Sequence, residues 1–160
     1  MNVNKKVFKL LLLIVLSLFL VNTKVYAEET NSKYKLIIED DANLLSNDEK
    51  KMLEDKMTSL LEYGNIAFKT ISNNQYSSTS FFASNYYHGR FQSESGTLFL
   101  IDMDKREIYI FSDGYNFKII TKDKAYIITD NVYKLVSSKN YYQCAYDAFD
   151  QIQTLLRGGK

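Results

Sequence analysis

Two pairs of aspartates stand where chemistry is possible. Asp40 and Asp41 follow the apolar run KLIIE (35–39), and Asp102 and Asp104 close a second apolar run that begins at Thr97. Both runs read as strands. If the two are parallel, their carboxyl ends share one rim, and open α/β sheets hold ligands beyond that rim. Four carboxylates converging there suit a hard divalent cation, Ca2+ or Mg2+, as cofactor. The same residues also suit plainer work, with Asp40 and Asp41 turning or capping the chain ahead of a helix and Asp102 and Asp104 shaping a hairpin. The spacing leaves both readings open. Asp130, in the TDN of a later helix, is a reserve ligand if that helix docks at the same rim. Arg106, beside the hairpin turn, suits an anion such as phosphate, or is a solvated strand-end cation. Asp113 belongs to the opposite rim if its strand runs antiparallel.

Other chemistries have less in their favour. Cys144 is the single cysteine and falls on the apolar side of a helix, the position of a small buried hydrophobe rather than a nucleophile. A single cysteine forms no internal disulfide and builds no cysteine zinc site. His88, the one histidine, sits at a helix end beside Gly89 and Arg90, where a structural role is usual. The chain has neither a Gly-x-Ser-x-Gly elbow nor a P-loop. The pairs Tyr86-Tyr87 and Tyr141-Tyr142 suit half-buried packing with hydroxyls at the surface.

The elements that must position these residues follow from periodicity. Gly96 to Gly114 holds two strand-like runs around a short polar turn: Thr97–Met103, almost continuously apolar, and Arg106–Phe111, rich in Ile, Tyr and Phe. A continuously apolar strand is covered on both faces, so helical layers are needed on each side of it. Ser46 followed by Glu49 is a capping box. Leu53, Met57, Leu60 and Leu61 continue one apolar face toward Gly64, which predicts a helix to about residue 63. Ile66–Ile71 is the next strand, and strand–helix–strand predicts parallel pairing. Phe82, Ala83 and Tyr86 mark a short helix ending near His88-Gly89. Thr121 opens a third helix carrying Ala125, Ile128, Val132 and Leu135. Asn140 opens a fourth, with Tyr141, Cys144, Ala145, Ala148, Ile152 and Leu155 on one side. The order βαβαββαα predicts an α/β fold, a three-layer α/β/α sandwich around a mixed sheet of about four strands.

The N-terminus is of different composition. Lys5, Lys6 and Lys9 precede the apolar run Leu10–Val21, and Val25-Tyr26-Ala27 offers a small-residue cleavage site. Residues 1–27 therefore read as a secretory signal, or as an anchor if uncleaved. Either way the expected location is extracytoplasmic, secreted or at the cell envelope, with membrane contact only through that segment. Residues 28–33 form a flexible segment, 34–157 the domain and 158–160 a tail. Without residues 1–27 the 20 basic groups lose four, leaving an excess of three acidic groups over basic ones. Such a surface has no electrostatic footprint for nucleic acid. A protein of the envelope is the expected partner.

Three segments carry a family resemblance: IIEDDANLLS (37–46), SGTLFLIDMDKREIYIFSDG (95–114) and TDNVYKLVSSKNYYQCAYDAFDQI (129–152). Together they make the chain resemble the TPM domain family, found in bacterial envelope proteins and in a thylakoid-lumen protein linked to photosystem II repair. The resemblance implies the α/β/α fold. It also implies that divalent-cation binding is a property of some members, and that acid phosphatase activity is attributed to a plant member. Three functions follow as expectations. The first is a non-catalytic cation-binding or protein-interaction module in envelope maintenance. The second is a metal-assisted acid phosphatase (a phosphomonoesterase), and the third a purely structural interaction domain.

Overall fold

A computed structural model of the chain describes residues 32–159. The expected signal in residues 1–27, most of the 28–33 segment and Lys160 lie outside the described residues. The elements run β1 (Leu36–Asp40), α1 (Asn47–Thr58), β2 (Asn65–Ile71), α2 (Thr79–Phe91), β3 (Gly96–Asp102), β4 (Glu107–Asp113), α3 (Gly114–Ile119), α4 (Lys122–Ser137) and α5 (Tyr141–Gly158). The expected βαβαββαα order holds, with the six-residue α3 added between β4 and α4.

The strands form one sheet in the order β1-β2-β3-β4. β1, β2 and β3 are mutually parallel, and β4 returns antiparallel to β3. The two central strands are buried at every position, so both of their faces carry apolar residues. On one face Ile38, Phe68, Phe99 and Ile110 are in register across the sheet. Leu53 and Met57 of α1, Ile128 and Val132 of α4, and the stripe Cys144, Ala145, Ala148, Phe149, Ile152 and Leu156 of α5 pack over them. Phe149 meets Phe99 edge-on, with ring centroids 6.1 Å apart. The other face carries Ala67, Ile71, Leu98 and Leu100, covered by Ala83, Tyr87 and Phe91 of α2. Each fully buried Leu, Ile or Phe contributes about 1.5–3 kcal/mol, so these two clusters dominate the stability.

Local signals set most boundaries. The capping box forms as expected: the Glu49 N–H donates to Ser46 Oγ at 3.3 Å and the Ser46 N–H donates to Glu49 Oε2 at 2.8 Å. α1 stops at Thr58 rather than near residue 63. Tight turns follow it, with Leu60 N–H donating to Met57 O and Tyr63 N–H to Leu60 O, and they keep Leu60 and Leu61 buried outside the helix. α2 is longer than expected at both ends, because Ser78 caps it and the chain runs helically through Gly89 to Phe91. Gly96 marks a close approach: a Cβ there would lie 2.1 Å from Asn65 O and 2.3 Å from the Tyr87 hydroxyl. Gly114 opens α3 at φ +59°, where a side chain is strained. No helix among the described residues is long and apolar enough to cross a membrane.

Candidate functional site

All four rim aspartates lie at or just beyond the carboxyl ends of β1 and β3, but the expected convergence does not form. The register aligns Asp40 with Thr70 and Asp102 with Ile71, and neighbouring strand positions point to opposite faces. Asp40 therefore faces the α1 side of the sheet and Asp102 the α2 side. Their oxygens are also engaged. Asp40 Oδ1 accepts from Leu44 N–H at 2.9 Å and from the Thr70 hydroxyl at 2.6 Å, while Oδ2 accepts from Leu45 N–H at 3.0 Å and pairs with Lys50 Nζ at 3.1 Å. Burial alone would raise the Asp40 pKa. The Thr70 hydroxyl, the two backbone donors and Lys50 outweigh it and hold the carboxyl below its ordinary value.

Asp102 is fully buried and plays a matching part on the other face. Its Oδ2 accepts from Asn74 Nδ2 at 2.6 Å and the Thr79 hydroxyl at 2.9 Å, and its Oδ1 accepts from the backbone of Asp104 and Lys105 at 3.1 and 3.0 Å. One carboxylate thus ties the hairpin turn to the start of α2. Asp41 pairs with Lys69, and the solvated Asp104 pairs with Lys105 at 3.3 Å. A divalent cation takes several free oxygen ligands on one side. The four carboxylates do not fit that requirement, and among the described residues no group of three or more His, Cys, Asp or Glu is placed to hold an ion.

Lys69, two residues before the end of β2, is a rim residue that the sequence reading missed. Its ammonium is almost fully buried, 3.0 Å from Glu39 Oε2 and 2.5 Å from Asp41 Oδ2. Arg90 holds the other Glu39 oxygen at 2.7 Å. Burial would raise the Glu39 pKa, and Lys69 followed by Arg90 brings it below its ordinary value. The Tyr86 ring takes Lys69 at 5.3 Å and Arg90 at 5.2 Å as cation–π partners. Burial, then the Glu39 charge, pushes the Tyr86 hydroxyl well above its ordinary value. A signal existed in the sequence: once β1 and β2 are placed in register, Glu39 lies beside Lys69. At the far end of the sheet, His88 Nε2 meets Asp113 Oδ2 at 3.0 Å, a structural link from α2 to the cap of α3.

Arg106 and Asp130 share one groove. Both line an open groove of about 820 Å³ with Ser78 and Ser80 at the start of α2, Ile108 and Tyr109 of β4, and Lys122, Tyr126 and Tyr133 of α4. Arg106 enters it from the hairpin with φ +56°, a left-handed conformation unusual for a residue with a side chain. The groove adjoins a hollow of about 160 Å³ bounded by β4 and by Phe117, Ile120, Ala125 and Tyr126. Around these openings Phe117, Tyr126, Ile127 and Tyr133 are 59%, 55%, 60% and 53% exposed. Four large apolar side chains are thus exposed around one pair of neighbouring openings.

The layered α/β/α architecture and the crossover from β1 to β2 define the class, and the sequence places the chain within it. A family model, the TPM domain, matches residues 38–155, and the chain belongs to the TPM domain family. Its fold is similar to the solution NMR structure of the N-terminal domain of a protein from P. gingivalis: TM-score 0.65, 16% identity, covering 76% of this chain and 82% of that one. It is also similar to the NMR structure of BA42 from the psychrophilic bacterium Bizionia argentinensis, with TM-score 0.62, 14% identity, and 72% and 83% of the two chains covered. No curated protein sequence matches the chain.

Proposed function

We propose that this TPM domain is a non-catalytic protein-interaction module of the cell envelope, and that its docking face is the groove between β4 and α4. The observation that carries this reading is the set Phe117, Tyr126, Ile127 and Tyr133, more than half exposed around openings that also hold Arg106 and Asp130. Aromatic and aliphatic anchors with a few charged groups at their margin are what protein interfaces use at their centres. The signal-like residues 1–27 support delivery across the cytoplasmic membrane, where such a module would meet envelope partners. The rival is the metal-assisted phosphomonoesterase. It needs a cation, an anion-binding group such as Arg106 and a carboxylate base within reach of one phosphate. The engagement of Asp40 and Asp102 in the frame weighs against it.

The test places a photo-crosslinking residue at Ile127 in the groove wall, and separately at Ser138 in the exposed α4–α5 turn, in cells making the full chain. A discrete adduct from position 127 that is absent from position 138 is the expected result. Equal labelling from both positions, or saturable turnover of an aryl phosphate that requires Ca2+ or Mg2+, would overturn the reading.

A further inference from the structure

Among the described residues β4 ends the sheet, so one of its edges pairs with no strand. Five consecutive residues, Ile108 to Ser112, line the hollow described above. A hollow on one face of a sheet is lined by alternate residues, because successive side chains point to opposite faces. Lining by every residue means that the hollow runs along the free edge, beside the main chain itself. Phe117 and Ile120, from α3 and its C-terminal end, and Ala125 and Tyr126 of α4 form its other wall. The result is a trough with unpaired backbone donors and acceptors on one side and apolar side chains on the other.

Natural sheets protect such an edge with a bulge, a proline, an interior lysine, a short strand, or a helix or loop laid over it. β4 has none of the first four, and α3 and α4 flank it across the hollow. Its seven residues pair with β3 in unbroken register, and EIYIFSD carries charge only at its two ends. The opposite edge is shorter, since β1 has five residues.

We infer that the partner docks by strand addition: an extended segment of another protein lies in the trough as a fifth strand beside β4. This inference rests on the docking reading above and adds the form of the occupant. Main-chain hydrogen bonds to β4 supply the affinity, and every second side chain, apolar or aromatic, meets Phe117, Ile120 and Tyr126. A second copy of this chain is a poorer occupant. Full antiparallel pairing of two β4 strands would set Glu107 against Asp113 at both ends, and like charges directly opposite destabilise a ladder.

The probe is a displayed library of random dodecapeptides selected on the immobilised full chain. The strongest binder is then made in two N-methylated forms, each blocking one alternate set of amides. An added strand turns alternate amides toward its neighbour and the rest away. One form should bind weaker by about tenfold or more, and the other should stay within about twofold of the parent. The parent should also bind weaker by about tenfold to Tyr109→Lys, with the fold of that variant checked by its melting curve. Equal sensitivity of the two methylated forms, with binding still lost in Tyr126→Ala, would overturn strand addition while leaving the docking face in place. Selected peptides indifferent to both Tyr109→Lys and Tyr126→Ala would overturn both readings. Concentration-dependent dimers abolished by Tyr109→Lys would replace the partner strand with a second copy.

Discussion

Asp40→Asn separates a carboxylate that builds the frame from one that holds a ligand. The substitution keeps volume and one acceptor oxygen but turns the other oxygen into a donor. If the amide nitrogen takes the Oδ2 position, it faces Leu45 N–H and Lys50. In the Oδ1 position it faces Leu44 N–H and the Thr70 hydroxyl, which can rotate to accept. Hydrogen bonds to charged groups contribute about 1.5–3 kcal/mol each, and the side chain is 1% exposed, so solvent screening hardly softens the loss. The expected cost is about 3 kcal/mol, which for a domain of this size lowers Tm by about 10 °C. The pH dependence has a definite sign. The folded pKa of Asp40 is depressed, so its contribution is complete well above the unfolded value of about 3.9 and is lost as pH falls through the folded value. A protonated Asp40 resembles the asparagine of the variant in having one donor and one acceptor. The Tm gap between the two proteins should therefore be full near pH 6 and close progressively below about pH 4. Thermal melts followed by circular dichroism over that range, with and without Ca2+, make the test. A gap under about 2 °C near pH 6, or one that persists unchanged to about pH 3, would refute the reasoning. So would Ca2+ stabilisation of the parent that disappears in the variant.

Two further predictions concern the frame. Gly96→Ala brings a methyl group within 2.1 Å of Asn65 O and should cost several kcal/mol or abolish folding, whereas Gly89→Ala meets nothing within 4 Å inside α2. Gly89→Ala should therefore raise stability by about 0.5–1 kcal/mol through helix propensity, and chemical-denaturation midpoints check both variants. Burial, followed by the Asp147 charge, pushes the Cys144 thiol up to about 12, and the residue is fully buried. It should resist a thiol-specific disulfide reagent at neutral pH in the native state and react stoichiometrically once denatured; prompt native labelling would show that α5 opens locally.

What the sequence disclosed follows the range of the interactions involved. The capping box of Ser46 and Glu49, the apolar stripe of α5 and the doubly buried β3 are signals contained in one segment, and each was legible. The parallel pairing of β1 with β2 followed from the short crossover between them. The misplaced end of α1 has a different origin: Leu60 and Leu61 are buried as the periodicity requires, but from turns rather than from a helix. α3 is six residues long, too short to show a helical period, and its only local marks are the Asp113 cap and Gly114. The expected convergence of the carboxylates does not form, because parity separates Asp40 from Asp102. Asp40 and Asp102 were correctly placed on one rim, but which face each residue points to depends on inter-strand register, and a shift of one position reverses it.

That parity also sets the structural part each aspartate plays. A parallel sheet ends in open loops, and the buried acceptors of Asp40 and Asp102 close two of them, one on each face. A carboxylate with this many donors is well suited to fixing a turn, and it has correspondingly few lone pairs left for a ligand. The hairpin fixed by Asp102 in turn sets where β4 begins, and so where its free edge meets α3 and α4. Loosening the Asp102 turn should then alter the trough without touching any residue in its wall. The part played by the two aspartates is positional: they fix the turns at the ends of β1 and β3, and through the hairpin the start of β4.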